Sequence, residues 1–166
     1  MLIEKLKERF GADILSAESA HGQDAIVIDR DRAPEILRAL RDEAGLEFNQ
    51  LADLTAVDRI GRKPRFDVVY QLCSLSLGHR LRVKVGVDGP DPWVHSAIEL
   101  WKSADWLERE CFDMFGIVFR GHPDLRRILL YDTFTGHPLR KDYPYNKRQP
   151  IVPEIDPVAK PLNPTR

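Results

Sequence analysis

The sequence predicts an α+β fold, a mostly antiparallel sheet with helices packed on it, followed by an extended proline-rich C-terminal arm. Apolar residues recur at helical spacing in some segments and alternate with polar residues in others. Eight of the 12 prolines lie after residue 120, and proline lacks the backbone donor that a helix or central strand needs. We therefore expect a compact α+β domain over residues 1–119 and a basic, extended arm over residues 120–166.

The first 45 residues predict two helices and a hairpin. Leu2, Leu6 and Phe10 follow one another at a spacing of four, which is typical of an amphipathic helix over residues 1–10. Short apolar runs at 14–16 and 25–29 flank a turn at 21–23 and indicate a hairpin. A second helix is expected over 31–43, with Pro34 near its first turn and Gly45 after its end.

The middle of the chain predicts an antiparallel meander. Strand candidates span residues 48–57, 66–75 and 81–87, and the last alternates apolar and polar residues with a period of two. Short loops join them, so neighbouring strands should be antiparallel. A helical region is expected from about residue 94 to 115, with Gly116 as its left-handed stop and a short strand at 117–119.

Composition excludes several function classes. The two cysteines are 38 positions apart and form no CxxC pattern, and no glycine-rich nucleotide motif occurs. No apolar run approaches the roughly 20 residues of a membrane span. His122 and His137 with Asp124 or Asp142 could form a metal site, but turn and surface histidines explain them more simply. We expect no catalytic, cofactor or metal site, and a chain in a reducing, cytoplasmic setting that reaches a membrane only through a partner.

Charge is unevenly distributed along the chain. Residues 1–115 carry a net charge of -5, whereas residues 116–150 carry +4. A basic segment of this kind is prone to interaction. With four nearby aromatic residues it could also serve as a nucleic-acid-binding module, which is one alternative interpretation.

The predicted helix over residues 104–115 concentrates charged residues. On a helical wheel Glu108 and Glu110 fall on opposite flanks of the apolar stripe, so they cannot form a paired-carboxylate site. Arg109 should face away from the core and pair with Asp105 or Asp113 at a spacing of four. Such a helix is either an exposed surface with ion pairs or an interface whose charges another chain matches. The apolar stripe comprises Ala104, Leu107, Cys111, Met114 and Phe115.

Three blocks in order carry a family resemblance: ERECFDMFGI at 108–117, GHPDLRRIL at 121–129 and GHPLRKDYP at 136–144. The strand segment LADLTAVD at 51–58 extends it. Together they resemble the C subunit of the proton-translocating NADH:quinone oxidoreductase, respiratory complex I, the 30 kDa subunit family. The resemblance covers most of the chain but not its first 45 or last 16 residues.

The resemblance implies a non-catalytic peripheral-arm subunit that binds no cofactor. Its partners would be subunits D and B, of which it would brace the former, on the cytoplasmic face of the inner membrane. FMN and iron-sulfur clusters in partner subunits would carry electrons from NADH to quinone. A bracing subunit of a membrane-bound hydrogenase is the nearest alternative. The arm from residue 136 onward would lie along the D subunit. The predicted partner interface comprises Glu108, Arg109, Glu110, Asp113, His122, Pro123, Arg126, Arg127, Arg140, Lys141, Tyr143 and Pro144.

Overall fold

The computed structural model describes residues 2–149 of the chain. The helices are α1 (Leu2–Phe10), α2 (Ala33–Asp42) and α3 (Ala104–Phe115), with a short 3-10 turn at Gly11–Asp13. The strands are β1 (Ile14–Ala20), β2 (Gln23–Ile28), β3 (Gln50–Asp58), β4 (Phe66–Ser74), β5 (His79–Val87), β6 (Trp93–His95) and β7 (Val118–Arg120).

Five strands form the main sheet in the order β1-β2-β5-β4-β3. The β1–β2 hairpin and the β3–β4–β5 meander are antiparallel, as predicted. Strands β2 and β5 join these two units and run parallel, with Ile26 opposite Val83. A parallel pair needs a long crossover connection, and α2 with the two intervening strands supplies it. The predicted α+β class, a mostly antiparallel sheet with helices, is therefore confirmed.

The two faces of this sheet differ in polarity. Along β5, Leu81, Val83 and Val85 are buried, whereas Arg82 and Lys84 between them are half-buried. The buried positions of β2 to β5 join apolar residues of α1, α2 and α3 in one core. Because successive side chains of a strand point to opposite faces, the other face of the sheet is the polar one.

Residues 93–103 correct the predicted helical region. Residues 93–95 form β6, which pairs in parallel with β7, so that Val94 lies opposite Phe119. Helix α3 begins only at Ala104. A three-residue strand whose partner lies 25 residues later leaves no local period that a sequence pattern can reveal.

Residues 121–149, here called the C-terminal segment, run through consecutive turns without a helix or strand. They turn back onto the domain instead of following the predicted extended path: the Leu139 amide donates to the Met114 carbonyl at 3.1 Å. The remaining part of the predicted arm, residues 150–166, lies outside the described residues. The division of the chain at residue 119 stays a prediction.

Candidate functional site: helix α3 and the C-terminal segment

Three of the predicted interface residues are buried inside the chain. Glu108 and Asp113 are 0% exposed and Arg109 is 7% exposed. Arg109 therefore does not face away from the core, and the expected pairs with Asp105 and Asp113 do not form. Each of these groups instead bonds to a residue more than ten positions away, because tertiary partners outcompete the weak ion pairs of a helix surface.

Asp113 is bonded on both carboxylate oxygens to the C-terminal segment. Its Oδ2 accepts the consecutive backbone amides of Ile128, Leu129 and Leu130 at 3.1, 2.9 and 2.9 Å. Its Oδ1 accepts Arg127 Nη1 at 2.6 Å. Burial raises the pKa of Asp113, but these four donors together lower it below its ordinary value. The carboxylate is held ionised and fixes four consecutive residues against α3.

The C-terminal end of α3 is capped by the same segment. His137 Nδ1 donates to the Asp113 carbonyl at 2.9 Å, the Leu139 amide donates to Met114, and Arg140 Nε donates to Phe115. These carbonyls have no partner within a helix. Burial lowers the pKa of His137, which favours the neutral ring. The GHPLR sequence is thus a helix cap from a remote part of the chain.

Gly116 makes this cap possible. It ends α3 in the left-handed region with a φ of 71°, as predicted. A Cβ at this position would lie 2.5 Å from His137 Nε2 and 2.8 Å from Arg140 Nη2. The close approach requires glycine here.

Arg109 bridges α3 to the start of the C-terminal segment. Its Nε and Nη2 donate to the carbonyls of Arg126 and Arg127 at 3.3 and 3.2 Å. Its guanidinium lies 5.2 Å from the centre of the Trp106 ring. Arg127 in turn donates Nη2 to the Gly136 carbonyl at 3.2 Å. We call the bonds of Arg109, Asp113, Arg127, His137 and Arg140 the clasp.

A second set of bonds ties the C-terminal segment to the sheet. Asp58, 3% exposed at the end of β3, accepts Arg65 Nη2 at 2.7 Å and the Lys141 amide at 2.9 Å. Arg65 also donates to Asp142 at 2.8 Å. Hydrogen bonding from Arg65 lowers the pKa of Asp58. Sequence reasoning missed this role of Asp58 and Arg65, although Asp58 closes the 51–58 block that extended the resemblance.

Glu108 holds the connection that leads into α3. Its oxygens accept Ser96 Oγ and the Ala97 amide, both at 2.6 Å. No cation pairs with it among residues 2–149, and burial raises its pKa to about 7. The neutral acid is therefore readily populated near neutral pH.

His122 also bonds within the chain. Its Nδ1 accepts the Asp124 amide at 3.0 Å, which places the ring proton on Nε2, 3.3 Å from Asp105 Oδ1. Asp105 thus pairs with His122 instead of Arg109. This histidine orders the turn after β7 and does not approach His137 as a metal pair: within residues 2–149 no three His, Cys, Asp or Glu side chains are grouped to hold a metal ion.

The remaining predicted residues are accessible to different degrees. Arg127, Arg140 and Tyr143 are partly buried, whereas Glu110, Pro123, Arg126, Lys141 and Pro144 are exposed. Exposed apolar residues lie among them: Trp106 is 61%, Leu129 62% and Leu139 53% exposed. Trp106 is thus not the packing anchor that its place in an apolar helix suggests, while Trp101, 5% exposed, is one.

The described helices do not include one that is both long and apolar enough to cross a membrane.

Comparison with known proteins identifies a family over most of the chain. Residues 26–149 match the model of the respiratory-chain NADH dehydrogenase 30 kDa subunit. The NADH-quinone oxidoreductase C subunit of Citrifermentans bemidjiense is 48% identical over 142 residues, which cover 86% of this chain and 87% of that protein. The same subunit of Geobacter sulfurreducens is 46% identical over 141 residues, with 84% and 86% covered.

Solved structures show the same likeness. A trypsin-resistant fragment of Nqo5 superposes with a TM-score of 0.67 at 38% identity, covering 75% of this chain and 100% of that one. A chain of an archaeal membrane-bound sulfane sulfur reductase superposes with a TM-score of 0.72 at 18% identity, covering 87% and 85%, which shows a shared fold. The chain therefore belongs to the family of respiratory-chain NADH dehydrogenase 30 kDa subunits, the C subunits of NADH-quinone oxidoreductase, a multi-subunit respiratory complex.

Proposed function

We propose that this chain is a non-catalytic peripheral-arm subunit that braces the quinone-reducing module of complex I. Its partners are subunits D and B, and the complex is attached at the cytoplasmic face of the inner membrane. FMN and iron-sulfur clusters in the partner subunits carry electrons from NADH to quinone, coupled to proton translocation. Family membership and the names of the relatives support the proposal.

The observation that carries the bracing role is a set of exposed side chains beside the clasp. Trp106 and Glu110 lie one turn apart on α3, and Arg126 and Leu129 lie on the C-terminal segment. The two halves are joined because Arg109 contacts the Trp106 ring and also the carbonyls of residues 126 and 127. We call these four residues the docking surface.

The clasp prepares the docking surface for binding. Glu108, Arg109 and Asp113 already have their partners within the chain, so they position this surface from behind. The direct contacts fall to the docking surface and to exposed Pro123, Lys141 and Pro144. A surface that is ordered before binding loses less conformational entropy on association, which suits a bracing subunit.

Docking should depend on the apolar members of this surface. Burying a Leu side chain contributes about 1.5–3 kcal/mol, and a Trp at the centre of an interface contributes about 2 kcal/mol or more. Trp106→Ala with Leu129→Gln should therefore weaken association by a factor of at least ~100. Purification of the complex through a tag on this chain measures the yield of the other subunits and the rate of NADH:quinone reduction.

A matched control uses leucines of similar exposure elsewhere. Leu15, 64% exposed, lies on β1 at the opposite edge of the sheet from β3, which packs on α3; Leu75, 72% exposed, follows β4. Leu15→Gln with Leu75→Gln should leave partner yield and activity unchanged. If Trp106→Ala with Leu129→Gln leaves both quantities at wild-type values, the bracing role of this surface is wrong.

A further inference from the structure

The polar face of the sheet carries a depression at the end near the β1–β2 turn. Its volume is about 660 Å³, and Arg80 and Arg82 of β5, Gln71 and Cys73 of β4, and Gln50 of β3 line it. Arg80 lies opposite Cys73, and Arg82 lies opposite Gln71. The two arginines are two positions apart on one strand, so both guanidinium groups extend from the same face.

The hydrogen-bonding capacity of this depression is largely unused within residues 2–149. Arg82 donates Nη2 to Gln23 Oε1 at 3.0 Å, and its remaining donors are unpaired there. Arg80 has no acidic side chain within 4.0 Å, and Gln50 and Gln71 make no side-chain hydrogen bond in this part of the chain. By contrast, Lys84 further along β5 is paired with Glu18 at 3.3 Å.

The chemistry of these groups selects an acidic, extended peptide. Each guanidinium presents five donors in a planar fork that matches a carboxylate. Glutamine amides both donate and accept, so Gln50 and Gln71 can bond to the amides and carbonyls of a peptide backbone. The depression is broad and open and lies across three strands, which suits a chain segment more than an enclosed small molecule.

We propose that this depression is a second docking site, for an acidic segment of a neighbouring protein subunit. Carboxylates of that segment bind Arg80 and Arg82, and its backbone lies across Gln71 and Gln50. The site is on the sheet, apart from α3 and the docking surface, so it is independent of the bracing contact.

Zero-length crosslinking in the assembled complex identifies the occupant directly. In an Arg80→Lys variant, a carbodiimide couples the new amine to any carboxylate in contact with it. We expect a product between position 80 and an Asp or Glu of another subunit, found by mass spectrometry. Arg62→Lys is the matched control, because Arg62 is exposed in the β3–β4 loop and has no acidic partner among residues 2–149; it should give no such product.

Charge reversal supplies the second readout. Arg80→Glu with Arg82→Glu should lower the salt concentration at which that subunit dissociates at least twofold, since the ion pairs become repulsive. A product at position 80 only with Asp24 of this chain, only with a lipid headgroup, or with nothing would overturn the proposal. In each of those cases co-purification through the docking surface would remain, which separates failure of this site from failure of the bracing role.

Discussion

Replacing Asp113 with asparagine tests the clasp at its most connected residue. The carboxylate accepts three backbone amides on one oxygen and Arg127 on the other. Asparagine keeps the shape but offers one oxygen. If that oxygen faces the three amides, its NH₂ group meets the Arg127 donors, so two donors are left opposed in a buried site.

The magnitude follows from the burial of this group. Asp113 is 0% exposed, and removing one member of a buried ion pair costs about 3–5 kcal/mol. Because asparagine retains part of the hydrogen bonding, we expect a loss of about 3 kcal/mol in the free energy of unfolding. For a chain of this length, that corresponds to a fall of about 6–12 °C in melting temperature.

Equilibrium unfolding in urea, followed by tryptophan fluorescence and circular dichroism, measures this loss. The matched control is Glu110→Gln on the same helix: Glu110 is exposed and has no ion pair among residues 2–149, so its replacement should change stability by less than about 0.5 kcal/mol. A loss below 1 kcal/mol for Asp113→Asn would refute the view that these bonds hold the C-terminal segment in place.

Three other predictions concern the same region. The pKa of Glu108, about 7 in the folded chain against about 4.3 unfolded, means that its contribution to stability is present at low pH. The free energy of unfolding relative to Glu108→Gln should fall by up to about 3 kcal/mol between pH 4.5 and pH 7 in urea titrations; a flat difference contradicts this assignment. Gly116→Ala should destabilise the chain by more than about 2 kcal/mol in thermal melts. Gly121→Ala, also at positive φ but with open space around it, should cost only about 1 kcal/mol, and equal losses would count against a crowded cap. Arg127→Ala should lower the melting temperature by several degrees, whereas exposed Arg126→Ala should not; the reverse order would reject the clasp.

Sequence patterns predicted the elements whose partners are near in the chain. The alternation in β5 and the spacing of Leu2, Leu6 and Phe10 in α1 each reflect one buried face, and both elements are confirmed. Gly116 was recognisable as a helix stop because the left-handed conformation favours glycine. These signals are local, so a single sequence contains them.

The contacts of the clasp could not be predicted in the same way. Helical spacing suggested that Arg109 bonds to Asp113, but these residues bond to positions 14 to 18 residues away. The choice between an exposed ion pair and a buried one depends on how the C-terminal segment returns to α3. That return is itself produced by Arg140, His137 and the Asp58–Arg65 pair, whose partners the sequence does not reveal.

The division of roles between clasp and docking surface also bears on how a variant is interpreted. A change at Asp113 or Arg127 should reduce assembly through loss of order in this chain, whereas a change at Leu129 should reduce assembly while the chain stays folded. A measurement of stability beside each measurement of assembly separates the two causes.

The central claim is that the C-terminal segment is fastened to α3 by bonds within this chain. Native-state hydrogen exchange of the isolated chain tests it most directly, at the amides of Ile128, Leu129, Leu130 and Leu139. We predict that these amides exchange at least ~100-fold more slowly than an unstructured peptide, in the absence of any partner. Exchange at the unprotected rate, with β5 amides still protected, would show that a partner protein and not the clasp orders this segment.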